Sequence, residues 1–323
     1  MTGPTEPAGR LALFRGLRAH LERAVLGQEE ALRGLSDALL AGEMGHARPG
    51  RPRSMLLLLG PTGTGKTKAV KEASAHLFGT GALARLNGAE FASAERVPLL
   101  LGRSPEDEGL LAGQVAALRR SGGRILLIDE VEKAHPSVAD HLLGIEDGAV
   151  MTAGGRVLDL SDLHVVATSN VGSSGVVEME GLSRASVRRF VEQEAAAQFR
   201  PEVFARFTAV LVFGHLSRDV QMLVCRQMLE EEASFQEARL AEAFGHPHSV
   251  RVSGEVCRRL VGEGWHRRLG ARPMRNVVER RVRAALVDAR LGGALGPGVR
   301  ESVLCVDPAE GLSVRIARAP ISL

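Results

Sequence analysis

Gly60-Pro61-Thr62-Gly63-Thr64-Gly65-Lys66-Thr67 decides the reading of this chain. It follows the apolar run 55–59 and precedes a helical pattern that runs to Phe78. Strand, glycine-rich loop and helix in that order are the context a phosphate-binding loop requires. Glycines at 60, 63 and 65 let backbone N–H groups approach phosphate oxygens with no Cβ in the way. The helix that follows aims its positive end at the same anion. Lys66 is expected to bridge the β- and γ-phosphates, and the Thr67 hydroxyl to hold Mg²⁺.

Working outward, Ile125-Leu-Leu-Ile-Asp129-Glu130 is a second apolar strand that delivers two carboxylates to its C-terminal end. Ligands of open α/β sheets bind at those ends. Asp129 is expected to serve the Mg²⁺, and Glu130 to polarise an attacking water. Asn170 ends a neighbouring strand and could orient the same water; a strand-end Asn in a turn is the bland alternative. Arg206 and Arg272 are the remaining candidates, because a guanidinium stabilises the charge that builds in phosphoryl transfer. In an arginine-rich chain any one of them could equally be a surface charge.

Composition bounds the rest. The 323 residues suffice for one large domain and a smaller one. With 45% hydrophobic and 24% charged residues the chain is globular. Tyrosine is absent and aromatics are 3%, so the core must be aliphatic. The net charge of +3 is too small to point to nucleic acid, and no basic cluster is interleaved with aromatics. Arginine carries nearly all the positive charge; lysine occurs at 66, 68, 71 and 133 alone. Cys225, Cys257 and Cys305 fit neither a zinc site nor a disulfide framework, which suits a reducing cytoplasm. No apolar run approaches the length needed to span a bilayer, and residues 1–10 have no signal core.

The expected fold class is α/β: a parallel sheet with helices on both faces, then a smaller, mostly helical α+β domain. Residues 1–9 are read as a flexible tail, 10–214 as the nucleotide-binding domain, 215–318 as the small domain and 319–323 as a second tail. Helices are expected over 11–25, 29–43, 110–120, 133–145, 183–197, 218–243, 255–263 and 273–291. Strands are expected over 82–87, 125–129, 164–168 and 209–213, with a hairpin over 148–160. Short strands are expected at 250–252, 303–306 and 313–316. Gly172-Ser-Ser-Gly175 reads as a loop.

The motif order resembles the AAA+ ATPases of the Clp/disaggregase group, specifically their second ATPase module with its C-terminal small domain. The resemblance rests on Val25-Leu-Gly-Gln28, the glycine loop, Leu126-Leu-Ile-Asp-Glu-Val-Glu-Lys-Ala-His-Pro136, Thr168-Ser-Asn170, Phe199-Arg-Pro-Glu202 and Gly270-Ala-Arg-Pro273. It covers roughly residues 10–318. It implies an ATP-hydrolysing ring, a hexamer by preference, with nucleotide between subunits. It implies Asn170 as sensor one, Arg272 as sensor two in cis, Arg206 as the trans-acting arginine finger, and Leu26 in the adenine-contacting turn.

Two departures from that group shape the functional expectation. The chain begins where the second module begins, so substrate selection is expected to come from the ring itself or from partners. The central loop carries no aromatic; Gly102-Arg-Ser-Pro-Glu106-Asp107-Glu108-Gly109 is acidic instead, which favours a protein client with a basic segment. An aromatic grips polypeptide by packing, and carboxylates do not. No Ile/Leu-Gly-Phe/Leu tripeptide of the kind carried by protease-docking members occurs, so no peptidase partner is expected. The alternatives are a nucleotide-dependent switch and a nucleic-acid-associated loader.

Overall fold

The structure, a computed structural model, describes residues 7–104, 106–138, 145, 148–179, 183–199, 201–307 and 311–316. They divide into two compact units, one ending at His215 and the next beginning at Leu216.

The first unit is built on a five-stranded sheet in the order β2-β3-β6-β1-β7. The strands are β1 (Ser54–Leu59), β2 (Leu83–Asn87), β3 (Ile125–Asp129), β6 (His164–Ser169) and β7 (Ala209–Val212). All pairings in it are parallel. A separate antiparallel hairpin pairs β4 (Ala149–Met151) with β5 (Val157–Asp159). Every residue of β1, β3 and β6 is buried. That is why β1 and β3 read as unbroken apolar runs: helices cover both faces of the sheet.

Alternate residues serve opposite layers, as the pleat dictates. Leu56, Leu58, Leu127 and Val166 pack with α1 (Pro7–Ala24), α2 (Glu29–Glu43) and α3 (Lys66–Phe78). Leu57, Leu59, Leu126, Ile128 and Val165 face the other layer. That layer holds α4 (Val97–Leu101), α5 (Gly109–Arg120), α6 (Ser173–Glu178), α7 (Arg184–Gln198) and α8 (Pro201–Phe204). Ser183 caps α7 by accepting from the Ser186 N–H.

The second unit packs α9 (Arg218–Phe244), α10 (Gly254–Gly264) and α11 (Arg272–Leu291) with a sheet ordered β10-β9-β8. Its strands are β8 (Ser249–Val252), β9 (Glu301–Asp307) and β10 (Gly311–Ile316). Its core includes Cys225, Leu229, Cys257, Leu260, Met274, Val278 and Val282. The three cysteines are free thiols, and Cys225 and Cys257 are buried. Among the described residues no helix is long and apolar enough to cross a membrane.

Several expectations are corrected. Residues 7–9, expected in the flexible tail, form the first turn of α1; residues 1–6 and the tail at 319–323 lie outside the described residues. The expected loop 172–175 is instead the start of α6, with Gly172 left-handed as its N-cap. Tertiary packing overrides propensity there: a Cβ at Gly175 would lie 2.2 Å from Cζ of Phe190, so the missing side chain lets the Phe190 ring close on the helix. The expected helix over 133–145 is a 3₁₀ turn over Val131–Lys133, an extended Ala134 and helical residues 136–138; residues 139–144 lie outside the described residues. Glu106, Asp107 and Glu108 are exposed, and each has a polar partner within the first unit. Asp107 accepts from the N–H groups of Arg103 and Gly109, and Glu106 accepts from Ser104 Oγ. Glu108 pairs with Arg156 of the hairpin.

Candidate nucleotide site

The glycine loop leaves the C-terminal end of β1, beside the ends of β3 and β6. Gly60 has φ 130°, and a Cβ there would lie 2.1 Å from the Phe213 carbonyl oxygen. Gly65 has φ 103° and caps α3; its Cβ would lie 2.6 Å from Val25 Cγ1. Both positions therefore exclude side chains twice, by dihedral and by contact. Thr64 Oγ1 donates to the Pro61 carbonyl at 2.8 Å and closes the loop on itself; Thr62 and Gly63 are half-buried at its turn.

Gln28 clamps this loop, a role the sequence reading did not assign to it. Gln28, 4% exposed, donates to the carbonyls of Thr64 (3.4 Å) and Gly214 (2.9 Å) and accepts from the Gly214 N–H at 3.0 Å. The turn containing Leu26, which is half-buried, is thereby fixed against the phosphate loop and the chain leaving β7.

Lys66 is 6% exposed, and its ammonium spends all three donors within the chain. It donates to the carbonyls of Gly60 (2.6 Å) and Pro61 (2.9 Å) and to Asn170 Oδ1 (2.9 Å). Burial pushes its pKa down to about 8, against the attraction of Glu132, Asp129 and Glu130. Because an ammonium only donates, the oxygen of Asn170 must face it. The Asn170 NH₂ therefore points at the carboxylates of Glu132 (3.0 Å) and Glu130 (3.4 Å).

Asp129 is 4% exposed. Burial favours its neutral form, but donors outweigh burial and hold the carboxyl below its ordinary range. Thr168 Oγ1 donates at 2.5 Å and Thr67 Oγ1 at 2.8 Å, both to Oδ1; Arg85 Nη2 donates to Oδ2 at 2.6 Å. An ionised carboxylate beside a hydroxyl is an all-oxygen donor pair suited to a hard divalent cation. Among the described residues no group of three or more His, Cys, Asp or Glu could hold a metal unaided. Thr67 and Asp129 thus fit a hard divalent cation such as Mg²⁺ as partial ligands, which would need further oxygens from outside the chain.

Glu130 follows at the strand end with φ 55° and ψ 49°, the single non-glycine left-handed residue among those described. Its N–H donates to Thr168 Oγ1 at 3.0 Å, and Lys133 Nζ meets its Oε2 at 2.6 Å. Such left-handed conformations cost on the order of 1–3 kcal/mol and cluster at functional sites.

The structure therefore brings together Gly60 through Thr67, Asp129, Glu130 and Asn170. It does not bring Arg206 to them. Arg206 lies between α8 and β7, just before Thr208, whose N–H bonds the Met55 carbonyl at 2.6 Å. That is the N-terminal edge of the sheet, with four residues of β1, roughly 13 Å of strand, between it and the loop. There Arg206 lines a cavity of about 340 Å³ together with Arg48, Arg51 and Arg53. Arg272 is exposed at the first position of α11 in the second unit. The sequence reading quoted Gln28, Glu132 and Thr168 within its motifs but gave them no role, and it did not single out Arg85. Thr168 had a visible signal, a hydroxyl two residues before Asn170 on the same strand end, and Glu132 followed Glu130 by two residues in the quoted acidic stretch; Arg85 had none.

Comparison with known proteins gives a consistent picture. Residues 51–210 match the family described as AAA domain (Cdc48 subfamily), and residues 220–303 match the C-terminal, D2-small domain, of ClpB protein. The chain is 34% identical over 292 residues to chaperone protein ClpB 1 of Synechococcus elongatus, covering 87% of this chain and 32% of that protein. It is 34% identical over 282 residues to chaperone protein ClpB of Pseudomonas putida, covering 86% and 32%. A closed-state cryo-EM reconstruction of Hsp104 with ATPγS and FITC casein is similar at a TM-score of 0.80 and 25% identity. That match covers 96% of this chain and 53% of the other. The chain spans about a third of the length of the curated relatives it matches.

Proposed function

Given that the chain belongs to the AAA+ ATPases, with a small domain of the ClpB type, we propose that it binds ATP with Mg²⁺, hydrolyses it, and uses the cycle to remodel a protein assembly. One observation carries this reading: Lys66, Thr67, Asp129, Glu130 and Asn170 converge at the C-terminal ends of three adjacent parallel strands. In this reading the loop amides and Lys66 neutralise the phosphates. Thr67 and Asp129 would hold Mg²⁺, which would supply further charge neutralisation. Glu130 accepts a proton from the attacking water, and Asn170 orients that water.

Arg206 then acts in trans. It sits at the opposite edge of its own sheet, so it serves a nucleotide on a neighbouring copy, and the working unit is a ring, a hexamer by analogy with the family. Leu26 contacts the base and Arg272 the phosphates of the same chain. The client is a protein with a basic segment, drawn to the acidic loop 102–109; nucleic acid, membrane and peptidase partners form no part of this reading.

Two substitutions test the core of it. Lys66→Ala should abolish binding of a fluorescent ATP analogue. Glu130→Gln should bind the analogue normally and hydrolyse ATP at least a hundredfold more slowly, on the order expected for loss of a general base. Glu130→Gln turning over at the parental rate would remove the assignment.

A further inference from the structure

Glu132 belongs to no role assigned so far, yet it is the third carboxylate of the site. It sits in the 3₁₀ turn over Val131–Lys133, where fully buried Val131 pins the backbone. That turn points the Glu132 carboxylate back at the end of β6. Its Oε1 accepts from Asn170 Nδ2 at 3.0 Å, a shorter contact than the 3.4 Å from the same nitrogen to Glu130. Its Oε2 is buried and accepts from no described donor. A buried, unsatisfied carboxylate oxygen costs free energy that packing alone does not explain. It is tolerated where the group has other work.

The neighbouring contacts say what that work is. A side-chain amide can flip end for end, and its two ends present opposite hydrogen-bonding character. Asn170 is held from both ends: Lys66 takes the oxygen and Glu132 takes the nitrogen. When a nucleotide draws Lys66 onto its phosphates, the oxygen end loses its partner. Glu132 is then the closer remaining hold on the amide.

We propose that Glu132 is a positioning residue for hydrolysis, which acts through Asn170 by fixing the orientation of its amide. The inference rests on the reading of Asn170 as the water-orienting residue, and it adds a residue that reading does not contain. A misoriented amide would offer its oxygen where a donor is needed, so the chemical step suffers and nucleotide binding does not.

The test uses the intact chain with Glu132→Ala, Glu132→Gln, Asn170→Ala and the double variant Glu132→Ala/Asn170→Ala. Glu132→Ala should lower kcat roughly tenfold, as small misplacements of catalytic groups do, with the Kd for a fluorescent ATP analogue within about twofold of the parent. Glu132→Gln keeps an acceptor oxygen and should recover most of the rate. Adding Glu132→Ala to Asn170→Ala should cost nothing more. In the nucleotide-free protein, the Asn170 side-chain amide resonance, identified by its loss in Asn170→Ala, should shift in Glu132→Ala and return toward its parental position in Glu132→Gln. An unchanged kcat in Glu132→Ala, or a further full loss in the double variant, overturns the proposal while leaving Asn170 its role. A parental rate in Asn170→Ala removes the role of Asn170 itself, and the proposal with it. Loss of analogue binding in Glu132→Gln would mark Glu132 as structural and also overturn it.

Discussion

Thr168→Val is the sharpest test of how the site is held together. Thr168 is 1% exposed, and its hydroxyl does two things at once. It donates to Asp129 Oδ1 at 2.5 Å and accepts from the Glu130 N–H at 3.0 Å. Valine has nearly the same shape, so no cavity opens. The first loss is a hydrogen bond to a charged group, worth about 1.5–3 kcal/mol, and the second leaves a buried N–H unsatisfied, at about 1–3 kcal/mol. Part of each is offset because valine itself is readily buried, so about 3 kcal/mol is the expected total. For a unit of this size that corresponds to a fall in Tm of about 6–12 °C.

The pH dependence follows from the depressed Asp129 carboxyl. A folded pKa below the unfolded value contributes stability that is present above the unfolded value, near 3.9, and lost as pH falls through the folded one. Thr168→Val removes one of the depressing donors, so part of its deficit is this carboxylate contribution. The deficit should therefore be largest near neutrality and narrow, without vanishing, as pH falls below about 4. Thermal melts followed by far-UV circular dichroism measure this. The single tryptophan, Trp265 at the end of α10, reports the second unit and serves as an internal control. An unchanged Tm, or a deficit that widens on acidification, would refute the reasoning.

Further outcomes are expected. Lys66 sits at about 8 because it is buried, so between about pH 8 and its ordinary value of 10.5 the unfolded chain binds more protons than the folded one. Stability of the nucleotide-free protein should rise across that window while ATP-analogue affinity falls, and Lys66→Met should abolish the rise; a parallel rise in that variant counts against it. Arg206→Ala alone should slow hydrolysis about a thousandfold, and mixing it with Lys66→Ala subunits should restore part of the rate; full activity of Arg206→Ala by itself would sink a trans role. Glu106→Gln with Glu108→Gln, sparing the turn-forming Asp107, should weaken binding of a basic client peptide and flatten its salt dependence. Identical salt curves for parent and variant would show that the loop does not carry the client.

The sequence is legible where one local rule dominates. β1 and β3 announce themselves because both faces of the sheet are covered, so residues 55–59 and 125–128 are all apolar. The glycine loop is legible because its chemistry is contiguous. The rest of the site depends on pairs that meet only after folding. Thr168 reaches Asp129 across 39 residues, Arg85 across 44 and Gln28 reaches Gly214 across 186. No window of local sequence contains such a pair. Gly172–Gly175 fails for a related reason: Gly and Ser vote for a loop, while Phe190, 15 residues onward, needs the gap that Gly175 leaves in a helix.

The scarcity of lysine has a practical consequence for handling the protein. Lys66, Lys68 and Lys71 all lie on α3, Lys133 rests on Glu130, and the second unit has no lysine at all. Amine-reactive crosslinkers, dyes and sensor-chip chemistry would therefore find side-chain amines in the first unit alone and leave the side chains of the second unmarked. Enzymatic acylation of side-chain amines would fall on the same few positions, so that any acetyl or succinyl group placed on this chain lands within the unit that carries Lys66.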